Sequence, residues 1–264
     1  MSAALDVTLH TQRTKELVFG TPVDVLSWSE TVSLIFDWAQ RRDSRTVCVC
    51  DVHSVVHALR DDAHAEAIRS ADLVTPDGAP VAWMIRRNGH IAQERISGPD
   101  LMWACCRKAA SLGTGIFLYG TTPSTLQHLE RRLREAFPTI NVAGAISPPF
   151  RTLSPEEDAA IVDSINKSGA QIVWVGLGCP KQEAWMRAHR GRVQAVMVGV
   201  GAALDFHAGV VKRAPLWMQR NGLEWFYRIL QDPQRLAKRY LVSNTMFIMA
   251  CCGARWSHGQ VDDR

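Results

Sequence analysis

The apolar positions of this chain form two kinds of segment that alternate along most of its length. Short continuous apolar runs predict buried strands, and longer stretches with apolar residues at helical spacing predict amphipathic helices. The predicted strands cover residues 18–25, 46–50, 73–74, 115–120, 140–146, 172–175 and 193–200. The predicted helices cover residues 29–40, 51–60, 80–87, 101–112, 123–137, 155–167 and a segment that begins at Pro180. This alternation predicts an α/β fold, with a parallel sheet covered by helices on both faces.

The most informative stretch is residues 172–185, which reads IVWVGLGCPKQEAW. Its apolar run ends in two glycines, and Pro180 is expected at the first helical position because its φ angle is already restricted. Ligands of open α/β sheets bind at the carboxyl ends of strands, and a helix N-terminus beside a lysine suits an anion. An ordinary strand–helix turn with solvated polar residues is the alternative. The residues concerned are Gly176, Gly178, Lys181, Gln182 and Glu183.

Polar and glycine residues also follow the other predicted strands. Asp77 lies in the segment ADLVTPDG at 71–78, where Pro-Asp-Gly is also common turn chemistry. Gly120 ends another strand and precedes two threonines, whose hydroxyl and backbone N–H groups suit a phosphate or a nucleoside. Asp51 and Asp205 follow two further strands. Because a parallel sheet brings the carboxyl ends of its strands to one edge, these residues are candidates for a common site.

The composition is that of a folded globular protein, because 47% of the 264 residues are apolar and 21% are charged. A chain of this length is expected to form one large α/β domain or a domain with an appendage. The N-terminal residues lack the apolar segment of a secretory signal, and no run approaches the ~20 apolar residues that cross a bilayer. Seven cysteines, several of them close neighbours, are typical of reduced thiols in a cytosol.

One group of residues has the composition of a zinc site without its spacing. Cys48, Cys50, His53 and His57 are close in the sequence, but the two cysteines point the same way from a predicted strand. No further Cys or His follows at zinc-finger spacing. Two small buried thiols are therefore the favoured interpretation, and no metal ion is expected.

The net charge of +4 is concentrated near the C-terminus. Residues 212–240 contain seven Lys and Arg against two acidic residues, a local charge of +5, so the remainder sums to −1. Arg235, Lys238 and Arg239 share one helical face, and an apolar segment follows at 246–252. Basic and apolar faces together favour binding to an anionic membrane surface. The alternative is a helix that packs on its own domain or on a second subunit, which leaves a homo-oligomer open.

Six segments appear in the order of one known family. They are ADLVTPDG at 71–78, ERISGPDL at 94–101, IFLYG at 116–120, VGLGCPKQEAW at 175–185, VGVGAALDFHAG at 198–209 and RAPLWMQRNGLEWFYRILQD at 213–232. Over residues 18–239 the chain resembles the WecG/TagA/CpsF glycosyltransferases of bacterial cell-surface polysaccharide synthesis. The resemblance implies a Rossmann-like core in residues 1–210 and a helical, basic and apolar membrane-binding appendage in residues 211–264.

It also implies an inverting, metal-independent enzyme without a cofactor, peripheral on the cytoplasmic inner face of the membrane. The sugar, of the N-acetylmannosamine, hexose or uronic acid type, would pass from a UDP-sugar to a polyprenyl-diphosphate-linked saccharide. The expected catalytic residues are Asp77, as general base, and Gln182. Those expected to bind the donor are Asp51, His53, Gly78, Arg95, Gly120, Gly176, Gly178, Lys181, Glu183, Gly201 and Asp205. Those expected to contact the acceptor diphosphate or the membrane are Arg213, Arg228, Arg235, Lys238 and Arg239.

Two other functions are alternatives. A nucleotide-binding oxidoreductase is suggested by Gly176-x-Gly178 and Gly199-x-Gly201, but neither completes G-x-G-x-x-G or has an acidic residue at ribose-binding spacing. A non-catalytic, membrane-associated scaffold would need only the basic and apolar C-terminal segment. Nucleic-acid binding is not expected, because the basic segment contains no recognised binding module.

Overall fold

The computed structural model describes residues 13–253 and shows an α/β fold, with helices on both faces of a six-stranded parallel sheet. The predicted fold class is therefore confirmed. The strands are β1 (Lys15–Val18), β2 (Thr21–Asp24), β3 (Arg45–Cys50), β4 (Leu73–Pro76), β5 (Gly115–Gly120), β6 (Asn141–Ile146), β7 (Ile172–Gly176) and β8 (Val196–Gly199). The helices are α1 (Trp28–Arg41), α2 (Val52–Ala58), α3 (Asp62–Arg69), α4 (Ala79–Arg87), α5 (Gly98–Leu112), α6 (Pro123–Ala136), α7 (Pro155–Lys167), α8 (Lys181–His189), α9 (Ala203–Ala208), α10 (Leu216–Arg220), α11 (Glu224–Gln231) and α12 (Pro233–Cys251). Residues 1–12 and 254–264, at the ends of the predicted core and appendage, lie outside the described part.

The main sheet has the strand order β4-β3-β8-β7-β5-β6. From β5 the chain continues to β6 on one side, whereas from β7 it continues to β8 on the other. Neighbouring strands whose connections leave in opposite directions open a crevice at their carboxyl ends, where α/β proteins bind ligands. The strand order therefore places a candidate site beyond Gly120 and Gly176, the last residues of β5 and β7.

The main sheet is buried on both faces except along its edge strand β6, and β7 illustrates the buried part. Val173 and Val175 pack into one apolar layer, and Ile172 and Trp174 pack into the layer on the opposite face. All four residues are fully buried. A strand covered on both faces needs apolar side chains at every position, so its sequence is a continuous apolar run. This property made the strands of the main sheet recognisable in the sequence.

The first predicted strand, residues 18–25, is wrong as a single element. It contains the end of β1, a turn at Phe19 and Gly20, and all of β2, which pairs antiparallel with β1 outside the main sheet. The φ angles of the two turn residues are 50° and 83°, in a region that glycine adopts at low cost. Because Val18 and Val23 are both buried, the segment is apolar on both sides of the turn. The pattern of apolar residues alone therefore does not distinguish this hairpin from one continuous strand.

Several short helices were not predicted, and α3 shows the reason. The chain leaves α2 and starts again at Asp61, whose side chain accepts hydrogen bonds from the backbone N–H groups of Ala63 and His64. Such a cap allows a new helix to start within a few residues of the previous one. The short helices α9, α10 and α11 likewise lie in segments that the sequence pattern left without an assigned element.

The start of α8 differs by one residue from the prediction. The first helical residue is Lys181, so Pro180 lies at the capping position rather than at the first position within the helix. Helical hydrogen bonding nevertheless reaches back further, because the N–H of Gln182 donates to the carbonyl of Gly178 at 2.9 Å. Lys181, Gln182 and Glu183 therefore do occupy the first turn, as predicted.

The last helix, α12, packs back onto the fold along one side. Met246 and Phe247 are buried in an apolar layer of the core, and the ring of Phe247 meets that of Phe19 edge-on, with 5.2 Å between centroids. Leu241 and Ile248, on the same helix, are 70% and 62% exposed. Packing onto its own domain thus accounts for part of the apolar surface of α12. Within residues 13–253, no helix combines the length and the apolar character that crossing a bilayer requires.

Candidate active site

A cleft of about 2340 Å³ opens at the carboxyl edge of the main sheet. Residues that follow β3, β4, β5, β7 and β8 form its floor, and residues of α11 and α12 form one wall. The cleft thus includes the position at which the strand connections reverse direction. Polar groups delivered by five strands and two C-terminal helices face a common space.

Asp77 follows β4 and lines the cleft, with 20% of its side chain exposed. Its backbone N–H donates to the Cys50 carbonyl at 2.9 Å, which holds the turn against the end of β3. The guanidinium of Arg95 lies 3.3 Å from Asp77 Oδ1, and the Gly98 N–H donates to Oδ2 at 3.4 Å. Burial raises the pKa of Asp77 and the Arg95 guanidinium lowers it, but burial, together with nearby carboxylates, prevails. The pKa of Asp77 therefore lies above its ordinary value.

Arg95 connects Asp77 to the C-terminal helices. One guanidinium nitrogen of Arg95 lies 2.7 Å from the carboxylate of Glu224, on α11. Glu224 also accepts from Arg213 at 3.0 Å, and Arg213 reaches Asp100 of α5 at 2.5 Å. The side chains of Arg95, Arg213 and Glu224 are 24%, 19% and 13% exposed, so solvent screens these pairs less than surface ion pairs. This network of alternating charges fixes α11 beside Asp77.

The end of β3 contributes Asp51 and His53 to the cleft. Asp51 caps α2 by accepting a hydrogen bond from the backbone N–H of Ser54 at 2.8 Å. Nδ1 of His53 lies 3.0 Å from the hydroxyl of Ser243, on α12. Burial lowers the pKa of His53 to about 4, so its imidazole is neutral near pH 7. The contact between His53 and Ser243 connects α12 to the edge of the sheet.

The ends of β5 and β7 approach each other closely. Gly120 has a φ of 128°, and a Cβ atom built on it would lie 2.5 Å from the carbonyl oxygen of Gly176. Only glycine fits this position. The hydroxyl of Thr121 then donates to Asp205 at 2.7 Å, which joins the end of β5 to the start of α9. Gly176, Thr121, Asp205 and Gly201 all line the cleft.

The first turn of α8 presents one exposed and two buried polar residues. Lys181 is exposed and lines the cleft, and Gln182 lines it while remaining only 4% exposed. Gln182 Nε2 donates to Glu183 Oε1 at 2.8 Å. Glu183 does not line the cleft, and burial raises its pKa to about 7. The cation and the helix N-terminus make this turn suitable for an anionic group.

A comparison with protein families establishes the class of this site. Residues 17–261 match the family described as "Glycosyl transferase WecG/TagA/CpsF family". The chain belongs to this family. The match covers almost the whole sequence and confirms the resemblance based on six ordered motifs. The protein is therefore a glycosyltransferase whose family acts in cell-surface polysaccharide synthesis, and the oxidoreductase alternative loses its support.

Most of the residues that the sequence predicts for the site line the cleft of this WecG/TagA/CpsF glycosyltransferase. Those that line it are Asp51, His53, Asp77, Gly78, Arg95, Gly176, Gly178, Lys181, Gln182, Gly201, Asp205, Arg228, Arg235 and Arg239. Those outside its lining are Gly120, Glu183, Arg213 and Lys238. Gly120 provides room for β7, Glu183 supports Gln182, Arg213 is held in ion pairs, and Lys238 is exposed to solvent.

Sequence reasoning missed Glu224 and the aromatic part of the cleft wall. Tyr119, Trp185, Trp225 and Tyr240 all line the cleft, and the rings of Tyr119 and Trp185 are 4.5 Å apart. Aromatic residues in a glycosyltransferase cleft provide flat apolar surfaces. The available signal for Glu224 was its position, because an acidic residue within a strongly basic segment is expected to pair with arginine.

The structure does not bring Cys48, Cys50, His53 and His57 together in a metal-binding arrangement. Cys48 and Cys50 are buried in an apolar layer of the core, in agreement with the favoured interpretation. Within residues 13–253, the residues that come together in a metal-binding arrangement are instead His64, Cys179 and Glu183.

Proposed function

We propose that this family member is an inverting glycosyltransferase that moves a sugar from a UDP-sugar to a polyprenyl-diphosphate-linked saccharide, with Asp77 as general base. The observation that carries the proposal is the position of Asp77, a cleft-lining carboxylate held by Arg95 whose pKa is raised by burial. A base is most effective when its pKa approaches the working pH. The sugar would be of the N-acetylmannosamine, hexose or uronic acid type.

The proposed reaction needs one base and no covalent intermediate. The Asp77 carboxylate accepts the proton of the acceptor hydroxyl while the hydroxyl oxygen attacks the anomeric carbon. The bond from that carbon to the UDP oxygen breaks on the opposite face, and UDP leaves with the bonding electrons. One glycosidic bond forms, the anomeric configuration inverts, and Asp77 later returns its proton to water. A single base suffices, so no second carboxylate is required as a nucleophile.

Protein cations are proposed to stabilise the departing diphosphate without a metal ion. Lys181, Arg228, Arg235 and Arg239 all line the cleft, and the N-terminus of α8 points a favourable dipole at an anion. Gln182 is proposed to contact the donor or the acceptor from the same turn. The sequence contains no Asp-x-Asp pair, the arrangement by which metal-dependent sugar transferases often hold a diphosphate.

The C-terminal helices α10, α11 and α12 are proposed to attach the enzyme to the inner face of the cell membrane. Exposed large apolar residues on these helices are Leu216, Trp217, Trp225, Phe226, Leu230, Leu241, Val242, Ile248 and Met249. Exposed basic residues are Lys212, Arg220, Arg235 and Lys238. Apolar and basic groups together suit an anionic lipid surface. Because α11 and α12 also form a wall of the cleft, a lipid-linked acceptor would stay in the bilayer while its saccharide enters.

The test is the variant Asp77→Asn, assayed for UDP binding and for sugar transfer with a lipid-linked acceptor. Loss of the base is expected to reduce transfer by roughly 100-fold or more. UDP at ~100 times its Kd should still stabilise the variant by ~2.7 kcal/mol, as it does the parent. Asp163→Asn, a control that removes an exposed ion pair with Lys167, should keep both properties.

Different results identify which part of the proposal fails. Full transfer by Asp77→Asn would exclude this residue as the base. Absence of UDP affinity in the parent protein, with vesicle binding retained, would favour the scaffold alternative. A UDP-induced stabilisation that appears only when Mg²⁺ or Mn²⁺ is added would contradict metal-independent donor binding.

A further inference from the structure

Three side chains with metal-binding atoms meet next to the cleft, although they are distant in the sequence. A ring nitrogen of His64 on α3, the Cys179 sulfur before α8, and a carboxylate oxygen of Glu183 lie within 4.8 Å of one another. Nε2 of His64 is 3.7 Å from Cys179 Sγ. In a tetrahedral zinc site, bonds of about 2.0 and 2.3 Å place nitrogen and sulfur ligands about 3.5 Å apart. The observed pair nearly has that separation without an ion.

A second observation is that one carboxylate oxygen of the proposed ligand set lacks a partner. Glu183 is 2% exposed. In the part of the chain that the structure describes, Glu183 Oε2 forms no hydrogen bond, whereas Glu183 Oε1 accepts one from Gln182. Leaving a buried polar atom unpaired costs roughly 1–3 kcal/mol, and more if it is charged. A bound cation would remove this cost at Glu183.

We propose that His64, Cys179 and Glu183 bind one Zn²⁺ ion. Imidazole, thiolate and carboxylate are all zinc ligands, and a thiolate disfavours Mg²⁺ and Ca²⁺. The thiolate and the carboxylate carry two negative charges, so the divalent ion makes the buried set neutral. Cys179 and Ser54 line the cleft, which gives the ion an entry path and allows water to be the fourth ligand. Ser54 Oγ lies 3.2 Å from His64 Nε2, beside the ligand set.

The ion would act as a positioning group rather than as part of the proposed sugar transfer. It joins α3 to the start of α8, two helices that are otherwise connected by side-chain packing and by one half-exposed ion pair, between Glu66 and Arg187 at 3.8 Å. Glu183 would then be fixed between the ion and Gln182 Nε2, so Gln182 would be held in its place at the cleft. The proposal rests on the ligand geometry and does not depend on the identity of the donor.

The experiment is a zinc-binding measurement on the full chain in the absence of nucleotide. After loading with ZnCl₂ and desalting, elemental analysis should give one zinc per chain, and competition with a chromophoric chelator should give its Kd. Cys179→Ser and His64→Gln should each weaken binding by about 100-fold or more, since even the partners of ligands contribute 10–100-fold. Cys252→Ser, at an exposed thiol, and His57→Gln, whose ring packs on His64, should bind as the parent does.

Cobalt substitution provides a spectroscopic readout of the ligands. Co²⁺ in the parent should give a sulfur-to-metal charge-transfer band and the intense visible bands of a four-coordinate ion, and Cys179→Ser should lose the charge-transfer band. Circular dichroism of the metal-free variants should match that of the metal-free parent. Unchanged zinc content in Cys179→Ser would indicate an adventitious ion only and would overturn the proposal. Zinc loss in His57→Gln would overturn the ligand set. UDP binding and transfer are measured separately, so either proposal can fail alone.

Discussion

At Asp77, three neighbouring charges act on the protonation of the proposed base. Arg95 lowers its pKa, whereas Asp51 and Glu224 raise it. Glu224 has a double effect, because it adds negative charge near Asp77 and also shares the Arg95 guanidinium at 2.7 Å. Glu224, on α11, therefore influences the protonation of Asp77 through the shared guanidinium of Arg95 and without a direct contact.

We predict that Glu224→Gln moves the acid limb of kcat/KM to lower pH. The base functions when deprotonated, so kcat/KM falls as pH decreases through the pKa of Asp77. Removing the Glu224 charge lowers that pKa and frees Arg95 to stabilise the carboxylate. Arg95→Gln should shift the limb in the opposite direction, to higher pH. The measurement is the pH profile of transfer for each variant.

Asp100→Asn is the matched control for this experiment. Asp100 belongs to the same charge network but pairs with Arg213, and the charges that act most on the pKa of Asp77 are those of Arg95, Asp51 and Glu224. Its acid limb should stay at the position of the parent. Equal shifts in Glu224→Gln and Asp100→Asn would show that the network acts only by holding α11 in place.

At the scale of the element, α12 has one face toward the core and another toward solvent. Phe247 is 5% exposed and packs on Phe19, whereas the next residue, Ile248, is 62% exposed. The helix also holds His53 through Ser243. A helix with two apolar faces can be fixed on the domain and still present apolar surface to lipid.

We predict that Phe247→Ala lowers the free energy of unfolding by about 3 kcal/mol, because it leaves a cavity under α12. Ile248→Ala should change the free energy by less than about 0.5 kcal/mol, as expected for an exposed side chain. Urea denaturation of the two neighbouring variants measures both effects. Similar losses in the two variants would contradict the docking of α12 on its Phe247 side.

At the scale of the whole molecule, charge is distributed asymmetrically. The segment 212–240 carries +5 and the remainder of the chain sums to −1, and the exposed apolar residues of the C-terminal helices occur in the same region. The mouth of the cleft is formed partly by these helices. A single orientation on an anionic surface would thus bring the cleft close to the lipid.

We predict that Lys212→Gln combined with Lys238→Gln weakens binding to anionic vesicles by roughly 30-fold, at about 1 kcal/mol for each cation near the surface. Both lysines are exposed and neither lines the cleft. Arg131→Gln combined with Lys167→Gln removes the same charge from α6 and α7 and should have little effect. Cosedimentation at low salt measures the binding. Equal losses in both double variants would show an effect of net charge rather than of the C-terminal helices.

The sequence by itself determined the class of fold and the edge of the sheet that carries the site. Strands buried on both faces are continuous apolar runs, and helices have a different period, so both are visible locally. Once the sheet is parallel, the ends of its strands share one edge, which is why Asp51, Asp77, Gly176 and Asp205 could be grouped before their positions were known. The hairpin of β1 and β2 was not predicted, because its turn lies within a segment that is apolar on both sides.

Only the tertiary structure decided which distant residues meet. Arg95 and Glu224 are 129 residues apart, and Cys179 is 115 residues from His64. The pairing depends on the strand order β4-β3-β8-β7-β5-β6, on how α3 packs on α8, and on how α11 and α12 pack on each other. Local hydrophobic periodicity determines which face of an element is buried, but not which element covers it. Contacts between residues that are distant in the sequence form only when the whole chain packs, and this is the physical reason that local sequence patterns do not predict them.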